Sequence, residues 1–201
     1  MRPKRLNYVF SALDADGFAV SVTGAIQTTP WTTIAGAPAD GVAHQTTLAS
    51  SADIHAITIT VNGTDAEGRV QTESIAGPAS NTVNLTKYFK TVTSITSDAT
   101  LGANTMNVGW TTLCSTPAYP VAVYPHDGPV VGISPVSCTV TIQQTISPIY
   151  NTTTASVWQT LIASGTAVAI AQGTAGITAV RALVTVSAPG TLTMDIAQAR
   201  A

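Results

Sequence analysis

Threonine occupies 34 positions of this chain, and it falls repeatedly between valine and isoleucine at a spacing of two. From Ile57 to Pro78 the sequence reads "ITITVNGTDAEGRVQTESIAGP", in which Ile57, Ile59 and Val61 alternate with Thr58 and Thr60. That period sends apolar groups to one face of a strand and hydroxyls to the other. β-branched residues fit a pleated surface and lose rotamer freedom in a helix, and the straight-chain helix formers Leu, Glu, Lys and Arg are scarce. The chain is therefore predicted to be all-β, with Ile57, Ile59 and Val61 pointing inward.

The same stretch predicts a hairpin. Its first strand should break at Asn62-Gly63 and at Asp65-Ala66-Glu67-Gly68, where Gly supplies positive φ and Asp bonds its own backbone, before a second extended run from Arg69 to Ile75. Charge concentrates here: Asp65, Glu67, Arg69 and Glu73 lie within nine positions of a chain that is only 9% charged. They are expected at and beside an exposed turn, which makes Asp65, Glu67 and Arg69 candidate interface residues.

Along the chain, residues 1–35 read as an extended N-terminal arm, with a turn at Asp14 to Gly17 followed by alternating Phe18, Val20 and Val22. Residues 36–112 read as a first β module, with turn signals every ten residues or so. Residues 113–136 carry Pro117, Pro120, Pro125, Pro129 and Pro135, a density that a central strand does not tolerate, and read as a linker or crossover. Residues 137–201 form a second β module. The expected architecture is two β-sandwich or jelly-roll-like modules, or one large sandwich, joined by the Pro-rich segment. A weak repeat pairs "FKTVTSITSDATLGANTMNVGW" with "ITAVRALVTVSAPGTLTMDIAQ", aligning Gly102 with Gly190 and Met106 with Met194.

A net charge of -2 and a pI near 5.8 give no electrostatic footprint for nucleic acid. Arg2, Lys4 and Arg5 form one small basic cluster, a further candidate interface. Asp14 arrives before any secretory apolar region develops, and no apolar run approaches the roughly 18 to 20 residues that span a bilayer. A soluble protein made in a cytoplasm, with no membrane partner, is expected. From Gly128 onward the only charged residues are Arg181, Asp195 and Arg200. Charge depletion of this kind marks surfaces buried between subunits, so a homo-oligomer or larger assembly is predicted.

Motifs that carry chemistry are absent from the sequence. His44, His55 and His126 lack metal-ligand spacing, and no nucleophile elbow or phosphate-binding Gly loop occurs. "DADG" at Asp14 and "GTDAEG" at Gly63 lack the full ligand set of a calcium loop and read as Asx turns. Glu67 and Glu73 could face each other across the hairpin as a carboxylate pair, yet a turn position favours plain surface charges. Cys114 and Cys138 read as two buried thiols, with a single bridge between them as the alternative. No cofactor and no enzymatic activity are implied.

Two segments, "ADGVAHQTTLASSADIHAITITVNGTDAEGRVQTESIAGP" followed by "TKYFKTVTSITSDATLGANTMNVGW", and "GITAVRALVTVSAPGTLTMDIAQA" near the C-terminus, carry a resemblance. The chain resembles the small Thr-rich β virion structural proteins of tailed bacteriophages. The resemblance implies an accessory subunit assembled in the bacterial cytoplasm and found in the virion, with the major capsid protein or portal and tail proteins as partners. It points first to a head decoration or cement protein, and alternatively to a head-to-tail junction or tail-fibre attachment subunit. A host glycan-binding module is a further alternative, for which Trp31, Trp110 and Trp158 would have to gather on one exposed face.

Overall fold

The computed structural model describes residues 3–121, 128–149 and 156–197. Among these residues the chain forms strands and turns and no helix, so the protein is all-β as its Thr-Val alternation requires. Two compact units divide it, Leu13–Cys114 on the one hand and Met1–Ala12 with Ser115–Ala201 on the other.

The 13–114 unit is a sandwich. The strands that compose it are β2 (Asp14–Gly24), β3 (Ala43–Ala49), β4 (Thr58–Thr64), β5 (Val70–Ala76), β6 (Thr82–Phe89), β7 (Thr91–Ser97) and β8 (Gly102–Ser115). One sheet has the order β2-β8-β3-β6 and the other β5-β4-β7. Phe18, Leu48, Ile59, Val61, Phe89, Ile95, Met106 and Trp110 interdigitate between them, and the Phe18 ring meets Trp110 edge-on, 5.0 Å between centroids. Ile59 and Val61 are fully buried and Ile57 packs against the core. Burial of such side chains at about 25 cal/mol per Å² is the main term holding the sheets together.

The edges of the two sheets meet without a ladder between β5 and β6, and side chains close that corner. Glu73 accepts from the Thr86 and Lys87 amides, both at 2.8 Å, and from the Thr86 hydroxyl at 2.7 Å. Gln71 donates to the Tyr88 carbonyl and Lys87 Nζ to the Thr72 carbonyl. These bonds occupy backbone groups that an open edge would offer to other chains.

The second unit is built on a long antiparallel ribbon, β10 (Val130–Thr145) against β13 (Ala179–Ala197). The free side of β10 takes β12 (Ala169–Gln172) along residues 130–133 and β11 (Gln159–Gly165) along 140–144. Along β13, β9 (Tyr119–Pro120) pairs at Ala179 and Val180, and β1 (Lys4–Val9) pairs at Thr191 to Ile196. Buried positions on β10 are odd at Val131, Ile133 and Pro135 and even at Cys138, Val140 and Ile142. The shift is made by a bulge at Ser137, whose φ is 56°. Between the pairs Val136–Thr191 and Cys138–Val186 the single residue Ser137 faces four residues of β13, 187–190, and this irregularity lets β10 change parity and keep a single face toward the core. Gly190 sits opposite, where a Cβ would come within 2.8 Å of the Ser137 carbonyl oxygen.

Several expectations about organisation change at this level. The N-terminal arm is divided: residues 1–12 belong with the C-terminal unit through the β1–β13 ladder, and β2 joins the other unit through β8. Asp14 to Gly17 begins β2 and keeps the expected Asx contact, Asp14 Oδ1 accepting from the Asp16 amide at 3.3 Å, with a break in the β2–β8 register before Ala19; a Cβ at Gly17 would lie 2.3 Å from the Trp110 ring. Val20 is outside, 49% exposed, since a positive φ of 52° at Ser21 interrupts the alternation. The Pro-rich segment supplies strand from Val130 onward, and Pro135 lies inside β10. It is tolerated between the stretches covered by β12 and β11, where among the described residues no strand needs its missing donor. The two copies of the apparent repeat differ at their centre: the first turns at Gly102, φ 62°, between β7 and β8, and the second stays within β13, whose pairing with β10 is interrupted at residues 187–190.

Candidate interaction surfaces

The charged hairpin tip is real in position and differs in character from a solvated turn. The β4–β5 ladder runs from Thr58–Ala76 to Thr64–Val70, so the turn is Asp65 to Arg69, and Gly63 lies within β4. Asp65 Oδ1 accepts from the Glu67 and Arg69 amides at 3.0 and 2.8 Å, and its Oδ2 accepts from Arg69 Nε at 2.7 Å. Arg69 Nη2 donates to Glu67 at 2.9 Å. The three side chains are only 18–29% exposed. They spend most of their charge on one another, and Glu73 spends its own on β6, so Glu67 and Glu73 form no carboxylate pair. Replacing Asp65 by Ala removes three bonds to a carboxylate and is expected to cost about 2 kcal/mol in urea denaturation.

At the other candidate interface, Lys4 is exposed on β1 and Arg5 forms a two-pronged bond to Asp195 across the β1–β13 ladder, 2.8 and 3.0 Å. Arg2 lies outside the described residues, as do Pro125 and His126. The hydrogen bond from Arg5, opposed by desolvation and helped by its charge, holds the Asp195 carboxyl below the usual carboxylate range. A depressed carboxyl contributes stability that is present above its unfolded value, about 3.9, and lost as pH falls through the folded one. Asp195 should therefore titrate low by NMR, Arg5→Ala should return it to the ordinary range, and β1 amides should lose exchange protection on acidification below about pH 4.

One polar constellation gave no sequence signal. His44 and Asp40 are buried, their side chains 0% and 2% exposed, with Nε2 2.8 Å from the carboxylate. His44 Nδ1 faces the Thr111 carbonyl at 3.1 Å, and Asp40 Oδ1 accepts from the Val42 amide. The carbonyl and the carboxylate are both acceptors, so two hydrogens serve this chain of three groups, one on Nδ1 and one between Nε2 and Oδ2. Trp110 closes over it, 6.1 Å from the imidazole centroid. Sealed from solvent, the pair anchors the turn just before β3 to β8 and has no access to a substrate.

The remaining candidates separate. His55 bonds Asp53 at 2.7 Å on an exposed bend, and among the described residues no three His, Cys, Asp or Glu side chains gather to hold a metal ion. Cys114 and Cys138 are buried thiols, with no disulfide among the described residues. Burial pushes the Cys138 thiol up, and it donates to the Thr191 carbonyl at 3.3 Å, the behaviour of an inert packing residue. Trp110 is buried and Trp31 is held by a bond from its indole to Thr33, so the three tryptophans do not share an exposed face. Two shallow recesses lie in the 13–114 unit, one of about 400 Å³ lined by Ser50, Asn81, Thr82, Thr105 and Asn107, the other of about 350 Å³ beside Trp31. Neither is lined by a titratable side chain. No described helix is long and apolar enough to cross a membrane. No protein-family model, curated protein or solved structure matches the chain.

Proposed function

We propose that this chain is a non-enzymatic structural subunit of a tailed bacteriophage particle, a head decoration protein that binds the outer capsid and stabilises it. The observation that carries the reading is the exterior of the unit built on β10 and β13. Its described residues include only four charges, Lys4, Arg5, Arg181 and Asp195. Arg5 and Asp195 neutralise each other, and Arg181 lies over the Trp158 ring at 4.1 Å while donating to Gln143. Large apolar side chains stand outside instead, among them Val136, Val157, Val168 and Ile170 at 59–74% exposure. A free-standing domain keeps its surface charged and its apolar patches small. A surface so poor in charge is suited to burial against neighbouring subunits.

The resemblance to Thr-rich virion proteins supplies the setting. Particles assembled without this chain test the reading. They are expected to form filled heads that rupture at a lower temperature, with restoration on adding the purified protein. Heads of unchanged stability that lack tails would favour a head-to-tail junction subunit instead. Intact particles that fail only to attach to cells would favour a glycan-binding module.

A further inference from the structure

β1 is held in its own unit by a connection that runs through the whole of the other one, residues 13–114. Its described ladder is with Thr191 to Ile196 of β13, and Phe10 extends it by one bond to the Gly190 carbonyl at 2.8 Å. On its outer side the strand is matched to that edge in chemistry: Arg5 lies opposite Asp195, and Asn7 accepts from the Thr193 hydroxyl at 3.0 Å. On the inner side Tyr8 stacks on the buried Phe10, ring centroids 6.1 Å apart. Most β1 side chains are nonetheless exposed, and Val9 is 67% exposed.

The β13 edge cannot stay bare. Leu192, Met194 and Ile196 are buried beneath it, and an uncovered run of backbone donors and acceptors beside apolar residues pairs with whatever strand fits. The strand that fits in register, in charge and in side-chain bonding is β1, and every copy of the chain carries one.

We propose that β1 is exchanged between copies, so that the Thr191–Ile196 edge of one chain takes Lys4–Val9 of a second chain with the contacts seen within one chain. Exchange makes the same bonds in trans as in cis, so the balance is set by the local concentration of neighbours against that of the tethered strand. Packed copies would be stapled together, and dilute copies would close on themselves. The inference requires only that copies meet, and it stands apart from the virion reading.

The test mixes two full-length chains, one carrying Asn7→Cys and the other Thr193→Cys, at high concentration under oxidation, with the link mapped by mass spectrometry. Neither chain can close this bridge alone. A 7–193 link between the chains is expected, several-fold above the link to an off-register control, Thr185→Cys. Adding Arg5→Asp to the first chain and Asp195→Arg to the second disfavours cis pairing in both and should raise the yield. The doubly substituted single chain, N7C with T193C, should close the bridge within itself when dilute, which shows that the positions are tolerated. No inter-chain link, or one no stronger than the control and insensitive to the charge exchange, would overturn the proposal.

Discussion

Replacing His44 by Leu should destabilise the 13–114 unit by about 3–5 kcal/mol, because it takes the imidazole away from a buried carboxylate. Asp40, 2% exposed, would lose the Nε2 contact at 2.8 Å, and the Thr111 carbonyl would lose its Nδ1 donor. A native domain has only about 5–15 kcal/mol in hand, so this single change consumes a large share of it. Urea denaturation followed by tryptophan fluorescence reads the loss, with Trp110 packed beside the imidazole. Removing both partners, Asp40→Leu with His44→Leu, should recover much of the loss, since apolar replacement of a whole buried pair is often close to neutral. A cost below about 1 kcal/mol for the single change would mean that the pair is solvated like a surface bridge.

The second large effect is at Gly63. A Cβ there would lie 2.0 Å from the Thr91 carbonyl oxygen and 2.9 Å from the Phe89 ring. The Thr91 oxygen belongs to backbone, and it sits where β7 begins its pairing with β4 next to a break in register. Gly63→Ala must therefore displace the start of β7, at a cost of about 3 kcal/mol. Gly68 is the control. Its φ is 80° and nothing lies within 4 Å of the Cβ position, so Gly68→Ala should cost only the left-handed penalty of about 1–2 kcal/mol. Equal costs at the two positions would return Gly63 to the role of a turn residue.

That pair of glycines shows what the sequence can and cannot report. Asn62-Gly63 is the strongest two-residue turn signal in the region, yet the turn falls at Asp65 to Arg69 and Gly63 is in a strand. The reason for a glycine there is the approach of Thr91, which no local pattern contains. The period-two burial of Ile59 and Val61 was legible, because it depends on neighbours in sequence alone. Bulges were not: the parity change at Ser137 and the outward turn of Val20 come from backbone choices at serines that composition does not mark.

The charges of the Asp65 to Arg69 tip could be located by counting, while their mutual neutralisation needed the geometry of the turn. His44 and Asp40 are close in sequence, but the carbonyl that fixes the ring is 67 residues away. Residues 4–9 of the arm pair with β13, and Arg5 and Asp195 are separated by 190 residues. Contacts at such separations follow from topology, and topology is what a single sequence specifies least directly.

Under the proposed function, neighbours in an assembled particle cover the charge-poor C-terminal unit of the chain. The most direct measurement is its copy number in purified virions, by quantitative mass spectrometry against the major capsid protein. The decoration reading predicts a ratio fixed by the capsid lattice, with every lattice site of one kind carrying the same number of copies. A ratio matching a small ring would place it at the head-to-tail junction, and absence of the chain from the particle would contradict the structural account altogether.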